Sequence, residues 1–150
     1  MPRLVLYQPE IAANLGAAIR IAACLATPLE VVEPCGFPWR AKDIDRVALD
    51  YQAELTRHAD FETFRAQTPG RLVLLTTKAA VPYTSFAYRA DDLLMIGQES
   101  AGVPDHVHAL ADHRVVIPMA PNARSLNLTV AAAIVLSEAL RQLQVSSGID

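Results

Sequence analysis

Apolar, β-rich runs recur along this chain at residues 4–7 (LVLY), 29–33 (LEVVE), 71–77 (RLVLLTT), 92–97 (DLLMIG) and 114–118 (RVVIP). Their side chains do not alternate between apolar and polar, which is the pattern of strands buried on both faces. Between them, residues 14–26, 41–51, 61–67, 104–110 and 127–143 carry apolar positions at helical spacing. Strands alternating with helices predict an α/β fold, a mostly parallel sheet with helices on both faces. The 150 residues suffice for one well-formed core, and no repeat, linker or low-complexity stretch divides them. Residues 1–150 are therefore expected to form one domain.

The last helical stretch, residues 128–140 (LTVAAAIVLSEAL), is apolar nearly all round, whereas a surface helix shows a polar face. It is expected to be buried on two sides, by its own sheet and by a second copy of the chain in a homodimer. No apolar run has the length of a bilayer span, so no membrane partner is expected. The opening MPRLVLYQPE lacks the pattern of a signal peptide, which gives a cytoplasmic location as the expectation. Cys24 and Cys35 have no cysteine or histidine at metal-ligand spacing and read as free thiols. His106 and His108 have no third ligand placed with them, so no metal site is expected. The net charge of −3 argues mildly against nucleic acid, although cations gathered at one cleft by two chains would offset it locally.

Segments at strand ends carry the candidate chemistry. Residues 14–20 (NLGAAIR) follow the first strand. Asn14 suits a helix cap, Gly16 relieves crowding, and Arg20 reads as a solvated helix residue. A dinucleotide fingerprint would need three glycines, and only Gly16 is present. Residues 93–104 (LLMIGQESAGVP) run a buried strand into G-x-E-x-x-G, formed by Gly97, Glu99 and Gly102. Such glycines let a ligand lie against bare backbone or simply make a strand-to-helix turn, and Pro104 suits the first turn of the next helix.

Residues 117–128 (IPMAPNARSLNL) read as a strand end, a stiff loop and a helix entrance, where Ser125 or Asn127 can cap the buried helix. Pro118, Pro121 and Asn122 also fix an irregular backbone whose polar groups could read the edges of an adenine while Ile117 and Met119 cover its face. Residues 75–78 (LTTK) end a middle strand. Ligands of open parallel sheets settle at the carboxyl ends of strands, so these segments converge at one edge if the sheet is doubly wound.

In order and spacing, N-x-G-x-x-x-R, G-x-E-x-x-G and IPM-x-P-x-x-RS-L-N-L resemble the SPOUT superfamily of RNA methyltransferases. LYQPEI (residues 6–11), EPCGFPW (33–39), LDY (49–51) and LTTK resemble, more narrowly, the short tRNA wobble-nucleotide 2′-O-methyltransferases. The likeness runs from about Leu4 to Leu143. It implies a deep trefoil knot in the C-terminal part, an S-adenosylmethionine site in the knot's loops, a homodimer that completes each site, and no appended RNA-binding module. Knots are nearly absent from proteins, and the pattern alone gives an ordinary doubly wound sheet.

Carried over position by position, the resemblance assigns cofactor binding to Leu75, Gly97, Ile117 and Ser125, with Thr76, Met119 and Asn127 as neighbours and Glu99 and Gly102 in the glycine motif. Arg20 would be the catalytic arginine and Asn14 its companion. The reaction implied is 2′-O-methylation of the wobble cytidine or modified uridine of tRNA, bound through its anticodon stem-loop, with S-adenosylhomocysteine as product. A guanidinium stays protonated, so Arg20 would stabilise an oxyanion or hold a phosphate rather than act as base. Arg3, Arg40, Lys42 and Arg46 are candidates for contact with the anticodon stem. The chain departs from the family at Ala26, Val130 and Ser137, where glycine, asparagine and an aromatic residue are usual. Rival readings are a catalytically silent RNA-binding dimer of the same fold and a nucleotide-binding oxidoreductase, which the missing glycine fingerprint disfavours.

Overall fold

Leu4, Val5 and Leu6 are wholly buried, and their strand is the centre of the fold. The structure, a computed structural model, describes residues 1–49 and 51–147. Among these the strands are β1 (Arg3–Tyr7), β2 (Leu29–Val32), β3 (Leu55–His58), β4 (Arg71–Leu75), β5 (Asp92–Ile96) and β6 (His113–Val115). The helices are α1 (Ala12–Cys24), α2 (Ala41–Ala48), α3 (Phe61–Gln67), α4 (Asp105–Leu110) and α5 (Leu128–Ser147). One sheet holds the strands in the order β3-β2-β1-β5-β4-β6, each neighbouring pair parallel.

The pleat sends Leu4 and Leu6 to one face, where they pack with Leu15 and Ile19 of α1, Ile44 of α2 and Ala132 of α5. Val5 and Tyr7 point to the other, against Phe61 and Phe64 of α3 and Val107 of α4. Helices thus cover both faces, which is why these strands show no polar alternation. Each fully buried leucine is strongly stabilising: truncating Leu94 to alanine would cost about 2–5 kcal/mol.

The structure differs from the sequence reading in several places. β3 (LTRH) is absent from the apolar runs because Thr56 and Arg57 are exposed on this edge strand; pairing with β2 makes it a strand. The run at 114–118 leaves the ladder after Val115, since Val116 hydrogen-bonds to Val81 and Tyr83. The helix read over 41–51 ends at Ala48, and Asp50 of the LDY string lies outside the described residues. Pro104 precedes α4 as its N-cap.

Among the alternatives for capping α5, Asn127 takes the role: its Oδ1 accepts from the N–H groups of Thr129 (2.9 Å) and Val130 (3.2 Å). Leu128, Ala132, Val135, Leu136 and Ala139 bury one side of α5, whereas Val130 is 48% exposed and Ser137 is also exposed. In the single chain the second side of α5 is therefore uncovered. Among the described residues no helix is long and apolar enough to cross a membrane.

Ion pairs engage many of the basic side chains. Arg71 makes a bidentate pair with the fully buried Asp92 (2.6 and 2.8 Å), joining the starts of β4 and β5. Arg3 donates to Glu30 at 3.1 Å, and Glu30 also meets the buried His58 at 2.9 Å. Arg3 therefore sits at the amino edge of the sheet, opposite the strand ends where the candidate segments gather.

Candidate active site

All strands run the same way, so β4, β5 and β6 deliver Thr76, Gly97 and Val116 to one edge of the sheet. β5 lies between β1 and β4, although the chain builds β4 first. Connections diverge at that point and leave a crevice beyond the strand ends, where open α/β sheets hold ligands.

The loop after β5 closes on itself. Gln98 N–H donates to the Gly102 carbonyl (2.8 Å), and Gly102 N–H donates back (3.0 Å). A Cβ on Gly97 would fall 2.6 Å from the carbonyl carbon of Gly102, so the pairing requires glycine there. Gly102 itself has φ +65°, the left-handed region.

Glu99, inside this loop, accepts from Asn14 Nδ2 at 2.9 Å and from the Glu10 N–H at 3.1 Å. Glu10 in turn accepts from the Ser100 N–H (2.9 Å) and hydroxyl (2.7 Å). These bonds, the backbone one foremost, hold the Glu10 carboxyl below its usual range. Asn14 is not a cap: it lies inside α1, whose N-cap position is Ile11. Its Oδ1 accepts from Asn127 Nδ2 at 3.4 Å, and its carbonyl accepts from Thr129 Oγ1 at 3.3 Å. Asn14 thus ties the glycine loop to the start of α5.

A cavity of about 490 Å³ opens at this edge. Leu75 and Thr76 line it from the end of β4, and Gly97, Glu99 and Gly102 from the loop after β5. Ile117, Met119 and Ser125 line it from the segment between β6 and α5. Asn127 and Asn14 are absent from the lining and reach it through Glu99. Arg20 is also outside it: the side chain is exposed, with its guanidinium 5.6 Å from the centroid of the Tyr51 ring.

Lys78, Arg124 and His108 also line the cavity, although the sequence alone assigned none of them to cofactor or RNA. Lys78 and Arg124 stand in the segments 75–78 and 117–128, and their charge was the signal available. His108 lines the cavity from α4, with Nε2 buried and without a hydrogen-bond partner among the described residues. Nothing in the spacing of 104–110 pointed to it.

Residues 1–137 match the SpoU rRNA Methylase family. The chain belongs to that family. Within this SpoU group it is 54% identical over 145 residues to a protein of Beijerinckia indica named tRNA (cytidine(34)-2′-O)-methyltransferase, covering 93% of this chain and 91% of the relative. A solved structure described as giving "Structural insights into the 2-OH methylation of C/U34 on tRNA" superposes with a TM-score of 0.92, at 37% identity and 97% coverage of both chains. An AdoMet-bound rRNA methyltransferase from Sinorhizobium meliloti superposes with a TM-score of 0.84, at 28% identity, over 95% of this chain and 56% of that one.

Proposed function

We propose that this SpoU-family chain methylates the ribose 2′-oxygen of the wobble nucleotide of tRNA, a cytidine or a modified uridine, with S-adenosylmethionine as donor and S-adenosylhomocysteine as product. The observation that carries this reading is the 54% identity to the named tRNA (cytidine(34)-2′-O)-methyltransferase over nearly the whole of both chains, including every segment that lines the cavity.

The cavity residues fit such a donor. Its volume lies in the range of small-molecule sites, roughly 300–1,000 Å³. Leu75, Ile117 and Met119 offer apolar surface for a flat base, the Gly97–Gly102 backbone allows close approach, and Glu99 and Ser125 offer polar groups. When bound, the sulfonium supplies an electrophilic methyl group. The protein's part is to hold the 2′-oxygen in line with it, since positioning supplies much of the acceleration in such transfers. Glu99 and Asn14 brace the loop on which that alignment depends.

Arg20 acts in this reading as a protonated guanidinium that stabilises developing negative charge on the acceptor oxygen while the hydroxyl proton passes to solvent. Its side chain lies outside the cavity of its own chain, and the proposal has it serve the cavity of a second copy. A homodimer is thus part of the proposal, and its support is the uncovered side of α5 at Val130 and Ser137. The trefoil knot implied by the SPOUT resemblance is kept as well; its support is the insertion of β5 between β1 and β4, followed by the return of α5 across β5 and α1. The activity belongs to the cytoplasm, where tRNA is modified. Nucleoside mass spectrometry of tRNA from cells with and without this protein tests the function. Loss of a wobble 2′-O-methyl group is expected, and an unchanged nucleoside profile would overturn it.

A further inference from the structure

The chain carries 13 Lys and Arg against a net charge of −3, so where its cations are left free is informative. Arg71, Arg57 and Arg141 are held bidentately by Asp92, Glu33 and Glu138. Arg3 is paired with Glu30, and the Arg114 guanidinium donates to the His108 carbonyl at 2.6 Å. These side chains are engaged in the fold itself.

Arg40, Lys42, Arg46 and Arg89 make no ion pair among the described residues but lie outside the cavity lining; Lys78 and Arg124 differ from them in position. Both are exposed, and both line the cavity, one from the loop after β4 and the other from the loop before α5. Among the described residues neither side chain makes an ion pair or a hydrogen bond. The carboxylate that shares the cavity with them, Glu99, has its oxygens occupied by Asn14 and the Glu10 N–H. A chain that is acidic overall therefore presents two uncompensated cations at its cavity mouth.

We infer that Lys78 and Arg124 are a phosphate clamp that seats an RNA strand across the mouth of the cavity; the inference rests on the proposed methyl transfer to a ribose. A ribose presented there arrives with a phosphodiester on each side, so the ligand is a polyanion. Two exposed cations on separate loops suit such a strand, and they concentrate positive potential locally despite the net charge. The donor's own carboxylate is the competing ligand for these cations, and the test separates the two.

The test is tRNA binding across a series of NaCl concentrations, measured by anisotropy for the wild type, Lys78→Gln, Arg124→Gln and the double variant. Arg89→Gln is the control, because Arg89 is an exposed cation at the amino edge of the sheet, near the start of β5. Each clamp variant is expected to lose on the order of tenfold in tRNA affinity and to flatten the log–log salt slope by roughly 0.7–0.9. S-adenosylmethionine affinity, read by calorimetry, is expected to stay within about twofold of wild type, a change of under 1 kcal/mol. Unchanged slopes would overturn the clamp. So would a loss of S-adenosylmethionine affinity in its place, which would assign the cations to the donor's carboxylate. Tight, salt-sensitive binding of tRNA without methylation would instead overturn the proposed function and leave the clamp standing.

Discussion

The side-chain amide of Asn14 donates a 2.9 Å hydrogen bond to Oε1 of Glu99, joining α1 to the glycine loop across 85 residues of sequence. The other carboxylate oxygen accepts the Glu10 N–H. Glu99→Ala would leave both donors without their partner, a loss of about 1–3 kcal/mol in chemical denaturation. Glu99→Gln keeps one acceptor and should fall between the two. Equal stability of all three proteins would show that the loop does not depend on this carboxylate.

The two glycines of the loop should respond differently to alanine. At Gly97 the added methyl would meet Gly102 backbone at 2.6 Å, and backbone gives way only if the loop opens. A stability loss of about 1–3 kcal/mol and a marked fall in S-adenosylmethionine affinity are expected. At Gly102 nothing lies within 4 Å of the new methyl, so only the positive φ is strained, costing about 1–2 kcal/mol. Its stability loss should be the smaller, and chemical denaturation of the two variants checks the order.

The Glu10 carboxyl is held low by Ser100. A depressed folded-state value means that its contribution to stability is fully present above the ordinary carboxylate range and is lost as pH falls through the folded value. An NMR titration of the Glu10 side chain should show a midpoint below the ordinary glutamate value of about 4.3, moving upward in Ser100→Ala. An ordinary midpoint in the wild type would contradict the bonding described.

If Arg20 serves the cavity of a second copy, two inactive proteins should rescue each other. Arg20→Ala keeps an intact cavity, and Gly97→Val keeps an intact Arg20. Random pairing of an equal mixture gives mixed dimers in half of the population, each with one complete site, so roughly a quarter of wild-type turnover should return. A mixture as inactive as its parts would place Arg20 in its own chain's chemistry or outside it.

Much of this architecture was legible in the sequence because the central strands are apolar throughout. Leu4–Tyr7 and Asp92–Ile96 are buried on both faces, and a continuous apolar run is what such burial demands. β3 was not legible. Its Leu-Thr-Arg-His sequence has no strand pattern of its own and becomes a strand by pairing with β2.

The gathering of Leu75, Gly97 and Ile117 at one cavity was readable from strand ends, given a parallel sheet. The use of Asn14 was not, because an asparagine near a helix start reads locally as a cap, and its bond to Glu99 spans most of the domain. The freedom of Lys78 and Arg124 was equally hidden, since a charge in a sequence does not say whether a partner has claimed it. Burial of one side of α5 was legible in its apolar sequence; burial on a second side is not met within the single chain, where Val130 and Ser137 are exposed.

One reaction decides the proposed function. Purified protein, an unmodified tRNA transcript and methyl-labelled S-adenosylmethionine should yield, after nuclease digestion and mass spectrometry, one labelled 2′-O-methyl nucleotide at the wobble position. Bound cofactor with no label transferred, or label on a base or at another ribose, would contradict it.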